Sequence, residues 1–212
     1  MKIRVRLDHA AAILGAGVGL FGLALQYALM YVDLTGDGAS PLWVTWRYFA
    51  YFTILTNTFV TLVMVRAAVL PKSHVGLNAP RIELMAVTSI LFVCIVYNVL
   101  LASRWDPRGW QKVADLILHD ITPALFALFW LLRQRTPLRW RFALFAALWP
   151  LAYAVYGLTR GAFDGFYPYF FMDPTVLSLP RIAMNLILLM AFFVFGGAIL
   201  VFANRTIVRR LR

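Results

Sequence analysis

The stretch RIAMNLILLMAFFVFGGAILVFAN, residues 181–204, decides the fold class. It is a continuous apolar run, close to the ~20 residues a helix needs to cross a bilayer. Working back along the chain, five more such runs lie at about 10–32, 46–70, 82–103, 113–132 and 141–159. The 212 residues are 62% hydrophobic and 14% charged, with a mean hydropathy of +0.77. Soluble domains carry about 25% charged residues. This much apolar surface does not fit a water-soluble core, and the bilayer is the solvent it implies. The expected fold is all-α: six transmembrane helices forming a single domain over residues 1–212. The first run follows MKIRVR, the kind of basic start a signal peptide has. It is long for a signal segment and lacks a small-x-small cleavage site at its end, so a retained helix is expected.

The net charge of +11 raises the question of nucleic acid. The basic residues fall between apolar runs rather than along one face, so no nucleic-acid partner is implied and they read as topology determinants. Lys2, Arg4, Arg6, Arg66, Lys72, Arg81, Arg133, Arg135, Arg139, Arg141, Arg205, Arg209, Arg210 and Arg212 make fourteen on one side. Arg47, Arg104, Arg108, Lys112, Arg160 and Arg181 make six on the other. The positive-inside rule then puts both termini in the cytoplasm. Cys94, the single cysteine, sits within an apolar run and excludes an intrachain disulfide.

Polar residues inside the runs gather at one depth. Counting from Trp46, Thr53 is seven residues into the second run, roughly 10 Å below the outer boundary at the helical rise. Thr56 and Asn57 follow at i+3 and i+4, on the same face. Counting from Val113, His119 is six residues into the fourth run, roughly 9 Å deep. Asp115 and Thr122 share its face. Tyr97 and Asn98 lie near the outer end of the third run, Tyr153 and Tyr156 near that of the fifth, and Arg181 and Asn185 open the sixth. Ionisable groups in a membrane normally face the bundle interior or a wet cavity. A polar pocket toward the outer leaflet is therefore expected. Below it, Phe126–Leu132 and Phe192–Phe202 are nearly pure apolar, which suits an amphipathic cavity for a ligand with a polar head and an acyl tail.

A hydroxyl and an imidazole at matching depth are the parts of a nucleophile–base pair. For a lone intramembrane threonine the plainer reading is helix packing, and it holds for Thr56 and Thr122. For Asn57, Asn98 and Asn185 the plainer reading is an interhelical hydrogen bond, against an oxyanion donor. His119 is the one histidine of three deep inside a run. Asp115, four residues earlier, is placed to hold its tautomer as the third member of a triad. Asp120 points about 100° away and is expected to pair with Arg181 or Arg104. His119 has no His or Cys partner at ligand spacing, so neither a metal nor another cofactor is implied. Pro123 and Pro150 are expected to bend the fourth and fifth helices. The outer loop at 160–180, with Gly-Phe-Tyr-Pro-Tyr-Phe-Phe-Met-Asp-Pro, is expected to roof the cavity.

Three ordered motifs resemble a known family. They are Tyr51-Phe52-Thr53-Ile54-Leu55-Thr56-Asn57, Leu118-His119-Asp120-Ile121-Thr122-Pro123, and Trp149-Pro150-Leu151-Ala152-Tyr153 followed by Phe166-Tyr167-Pro168-Tyr169-Phe170 and Asp173. From the second run to the sixth, the chain resembles a bacterial family of six-transmembrane proteins. That family is related to the eukaryotic androgen-induced and androgen-dependent TFPI-regulating membrane threonine hydrolases, which cleave fatty acid esters of hydroxy fatty acids. The resemblance implies Thr53 as nucleophile and His119 as base. It departs from the bacterial pattern at Asp120, where tyrosine is usual, and at Phe170-Phe171, where Pro-Phe is usual.

The expected activity is thus an intramembrane lipid esterase in a bacterial inner membrane, acting on a membrane lipid or other acyl ester. Asp115, Asn57, Asn98, Asn185 and Tyr153 are the expected orienting or oxyanion groups. Thr56, Tyr97, Thr122, Tyr156, Tyr167 and Arg181 are the expected pocket lining. The competing expectations are a proton-coupled or small-molecule transporter using Asp115, His119 and Asp120, and a lipid-binding protein without chemistry.

Overall fold

The computed structural model describes residues 2–102, 106–133 and 136–210. Arg104, Arg135 and Arg212, which entered the charge count, lie outside the described residues, as does the end of the third run at 103. Nine α-helices are found among the described residues: α1 (Lys2–Gly36), α2 (Pro41–Tyr48), α3 (Phe52–Val69), α4 (Pro80–Val96), α5 (Gly109–Leu116), α6 (Thr122–Arg133), α7 (Phe142–Phe145), α8 (Leu148–Asp164) and α9 (Leu179–Arg210). Among those residues there is no strand. Six segments are long and apolar enough to cross a membrane: Leu7–Gly36, Phe52–Val69, Pro80–Leu100, Gly109–Arg133, Phe142–Asp164 and Leu179–Arg210. The chain is a multi-pass, all-α membrane protein. Leu14, Leu20 and Phe21 on α1, and Ile187, Phe195 and Phe202 on α9, are each more than half exposed. A surface this apolar belongs against lipid.

The core sits between α3, α4 and α6. Val60, Val63, Met64, Leu84, Val87, Ile90, Phe126, Phe129 and Trp130 are at most 1% exposed there. Of the apolar lower halves, Phe126, Phe129 and Trp130 therefore belong to a filled core, while Phe192, Phe195 and Phe202 face outward, rather than lining the acyl cavity expected from sequence. α1 lies close against this core because its facing side is glycine. A Cβ on Gly19 would come within 2.2 Å of the Thr61 hydroxyl, and one on Gly22 within 2.4 Å of Ile117. Small residues at such spacing let membrane helices approach.

Contacts define two ends of the bundle. At one, the His9 Nε2–H donates to the Ala68 carbonyl at 2.9 Å, and Asn204 accepts from the Leu138 N–H at 2.7 Å. Arg133 pairs with Glu83 at 2.8 Å and donates to the carbonyls of Pro71 and Ser73. The start of α1 and the end of α9 thus lie toward this end, called here the terminal end. The opposite end holds the polar layer.

Two of the expected spans are broken. The 46–70 run divides into α2 and α3. α2 starts at Pro41 because the Ser40 hydroxyl caps it, accepting from the Trp43 N–H at 3.2 Å. The chain turns at Phe49 and Ala50, and Tyr51 is extended. The carbonyls this break leaves open are taken from α8: Tyr153 donates to Ala50 at 2.8 Å and Tyr156 to Phe49 at 3.0 Å. The 141–159 run divides into α7 and α8. Pro150 falls in the first turn of α8, where a missing N–H costs nothing, rather than bending a helix interior. α8 also runs on to Asp164, ended by Gly165 at φ +72°, so the loop begins five residues later than expected.

Two π-helical turns complete the picture, Tyr97–Leu101 after α4 and Ile117–Ile121 between α5 and α6. In the second, the Thr122 N–H reaches back five residues to the Ile117 carbonyl. The Leu118 carbonyl, which Thr122 would serve in an α-helix, finds no donor in Pro123 either. The Asn57 side chain supplies one, at 3.0 Å.

Candidate functional site

The break before α3 changes where Thr53 lies. It is the second residue of α3, in the first turn, not two turns below the start of a helix. The amides of that turn have no intrahelical acceptors and make it an electropositive end. The Phe52 N–H donates to the Tyr169 phenol at 3.1 Å. The same phenol oxygen meets the Thr53 hydroxyl and the Thr53 N–H. Burial pushes the Tyr169 phenol up to about 12, against the pull of those contacts. It therefore stays protonated at neutral pH, with a proton to give.

His119 sits on the π turn. Its Nδ1 lies 3.0 Å from the Asp115 carbonyl oxygen and 3.2 Å from the Asp115 carboxylate. Donation of Nδ1–H to both leaves Nε2 as the basic nitrogen. Tyr97 stacks on the imidazole with ring centroids 3.8 Å apart and planes 15° from parallel. Its hydroxyl donates to the other Asp115 oxygen. Imidazole, carboxylate and phenol form a closed set that fixes the ring. The side chains of His119 and Asp115 are 15% and 13% exposed.

Thr53 and His119 line two voids in common. The first, a vestibule of about 910 Å³, is walled by α1, α2 and α5 and also includes Arg47, Tyr51, Asp115 and Phe166. The second is apolar, about 60 Å³, bounded by Phe52, Phe92, Pro150, Tyr153, Tyr169 and Phe193 among others. A space of 60 Å³ holds a water or two and no acyl chain. The acyl-sized volume is the vestibule. The loop at 165–178 does reach both: Phe166 borders the vestibule, and Tyr169, Phe171 and Met172 border the apolar void.

Of the residues expected at the site, Thr53, His119, Asp115, Tyr97 and Tyr153 border one or both voids. The others do not border them. Asn57 spends its amide hydrogens on the carbonyls of Thr53 and Leu118, so it clamps two helices and has no donor for an oxyanion. Asn98 donates to Asp120 at 2.8 Å, the partner Asp120 takes in place of Arg181. Asn185 holds the loop through the Phe171 carbonyl at 2.9 Å. Thr56 accepts from the Trp149 indole at 3.0 Å. Thr122 is fully buried away from both voids, because the extra residue of the π turn rotates it off the Asp115–His119 face. Tyr156 borders a separate groove beside α2. Tyr167 packs on Gly161, where a Cβ would approach its ring to 2.2 Å. Arg181 is exposed.

Two residues bordering the candidate site carry no mark in the sequence that singles them out. Tyr169 stood in the quoted loop motif, beside Tyr167, and only the loop's fold tells the two apart. Arg47 reads in the sequence as a topology charge, yet it borders the vestibule. No family model, curated protein or solved structure matches this chain.

Proposed function

We propose that this protein is an intramembrane lipid esterase, with Thr53 as nucleophile and His119 as general base. The observation that carries the reading is the sharing of two voids by these side chains from separate helices. In the first step the His119 Nε2 takes the Thr53 hydroxyl proton as the Thr53 oxygen attacks the ester carbonyl carbon. The tetrahedral intermediate collapses, the C–O bond to the alcohol breaks, and imidazolium returns its proton to the leaving alkoxide. A water deprotonated by His119 then attacks the acyl-threonine, releasing the fatty acid and restoring the hydroxyl. Asp115 orients the imidazole and stabilises its cation. The Tyr169 phenol is the oxyanion donor in this scheme, its oxygen held by the α3 amide of Phe52.

The reading agrees with the family resemblance, which points to fatty-acyl esters such as those of hydroxy fatty acids. The filled core between the site and the terminal end favours hydrolysis over transport, since a carrier needs a polar route through it. In this reading the six spans lie in a bacterial inner membrane with both termini cytoplasmic, and the site opens toward the outer leaflet.

The test is covalent labelling by a fluorophosphonate probe in detergent. The wild-type protein should label, Thr53→Ser should retain labelling, and Thr53→Ala and His119→Ala should lose it while keeping a monodisperse, cooperatively melting fold. Loss of a general base lowers turnover by about 10²–10⁴-fold. Undiminished labelling of both alanine variants overturns the assignment.

A further inference from the structure

Arg47 is the anomaly of the vestibule. It projects from the last turn of α2 into the same void as Thr53 and His119. Its guanidinium carbon lies 3.6 Å from the centroid of the Phe166 ring and 5.4 Å from that of Trp43. These faces hold the cation in place without using its N–H groups. Its Nη1 is buried and has no hydrogen-bond partner. No carboxylate lies within ion-pair distance of Arg47 among the described residues. The Arg160 Nη1 is likewise unpaired, but Arg160 and Arg133 are each committed to a carboxylate, Asp164 and Glu83. A buried donor left unpaired costs free energy, more so when it is charged. The planar fork of a guanidinium matches a carboxylate or phosphate through two parallel bonds.

Other groups around the void bear on what it accepts. The Gln111 side-chain amide donates to the Gln26 side-chain oxygen at 2.9 Å, so that donor and that acceptor are spent on each other. Asp115 is committed to Tyr97 and His119. Asp33 also borders the void and is exposed. It disfavours a second negative group on the far side. The apolar lining from Leu29, Met30, Ile54 and Leu118 suits hydrocarbon.

We propose that Arg47 is the recognition residue for a single anionic group, carboxylate or phosphate, on an amphiphilic substrate. Its headgroup seats against the guanidinium edge while the chain lies along the vestibule toward Thr53 and His119. This rests on the esterase reading for its purpose, but the binding itself does not need catalysis. It adds a selection rule: among acyl esters, those with an acidic group at the outer end are preferred over neutral ones.

The experiment measures binding by thermal shift in a neutral maltoside detergent, using wild type, Thr53→Ala, Arg47→Gln and Arg47→Lys. The probes are oleate, oleoyl lysophosphatidate, monoolein and inorganic phosphate. Oleate, lysophosphatidate or both should bind wild type and Thr53→Ala more tightly than monoolein does. That preference should fall roughly tenfold to a hundredfold in Arg47→Gln, the range expected for a lost charge-assisted bond. Arg47→Lys should keep part of it, since charge remains and the fork is lost. Preference for oleate alone assigns a carboxylate, and for lysophosphatidate alone a phosphate headgroup. Equal preference in wild type and Arg47→Gln overturns the proposal. So does a shift by inorganic phosphate with no gain from either amphiphile. Because Thr53→Ala is read in parallel, loss of the esterase assignment would leave this one standing, and the reverse.

Discussion

Tyr169 is the residue whose role is most exposed to test. It touches the Phe52 amide and the Thr53 hydroxyl, and burial keeps its proton in place. Tyr169→Phe removes that proton and leaves the ring to fill the same space. Turnover of an acyl ester should fall by about 10²–10³-fold, the cost of losing one oxyanion donor, while KM changes little and the melting temperature stays within a few degrees. A variant with full turnover would leave the α3 amides as the sole oxyanion donors. The residue scale also shows what a sequence discloses. Thr53, His119 and Asp115 were legible because polar groups in an apolar run are rare and their helical spacing is informative. Spacing puts Asn57 near Thr53 on the helix but does not tell a clamp from a donor, since that depends on which carbonyls the neighbouring helix leaves open.

At the scale of elements, the site is built where helices depart from ideal geometry. The α2–α3 break delivers Thr53 at a helix terminus, and the π turn at Ile117–Ile121 delivers His119. Neither irregularity was legible in an apolar periodicity, which fixes how many segments cross but not where a segment gains a residue or opens. Pro123 was visible, though as a bend rather than as the reason the Leu118 carbonyl goes unserved by its own helix. That carbonyl links three residues energetically. Asn57→Ala removes its donor and should destabilise by about 1–3 kcal/mol, the cost of a buried unmet acceptor. In a Pro123→Ala background a backbone N–H becomes available at 123, and the same substitution should cost measurably less. The check is a double-mutant cycle on melting in detergent. Strict additivity would show that Asn57 and Pro123 do not meet at Leu118.

For the whole molecule, the question is which way the bundle stands, because that decides which leaflet feeds the site. The six spans were legible from hydropathy, and the structure gathers the start of α1 and the end of α9 at the end opposite Thr53 and His119. Charge then sets the direction: among the described residues, twelve basic residues belong to the terminal end and five to the site end. Three of the twelve are not free surface charges. Arg66 is bonded to Ser73 and Asn78, Arg133 to Glu83 and Arg205 to the Leu138 carbonyl. The bias survives their removal, so the terminal end should be cytoplasmic. Single cysteines report it in a Cys94→Ala background. Val75 lies in the loop after α3 at the terminal end and is 67% exposed. Val176 lies in the loop before α9 at the site end and is also 67% exposed. A membrane-impermeant maleimide added to intact spheroplasts should label Val176→Cys at once and Val75→Cys only after lysis. The opposite pattern would stand the bundle on its head. The vestibule would then draw on the inner leaflet, and an anionic ester reaching Arg47 would come from the cytoplasmic face.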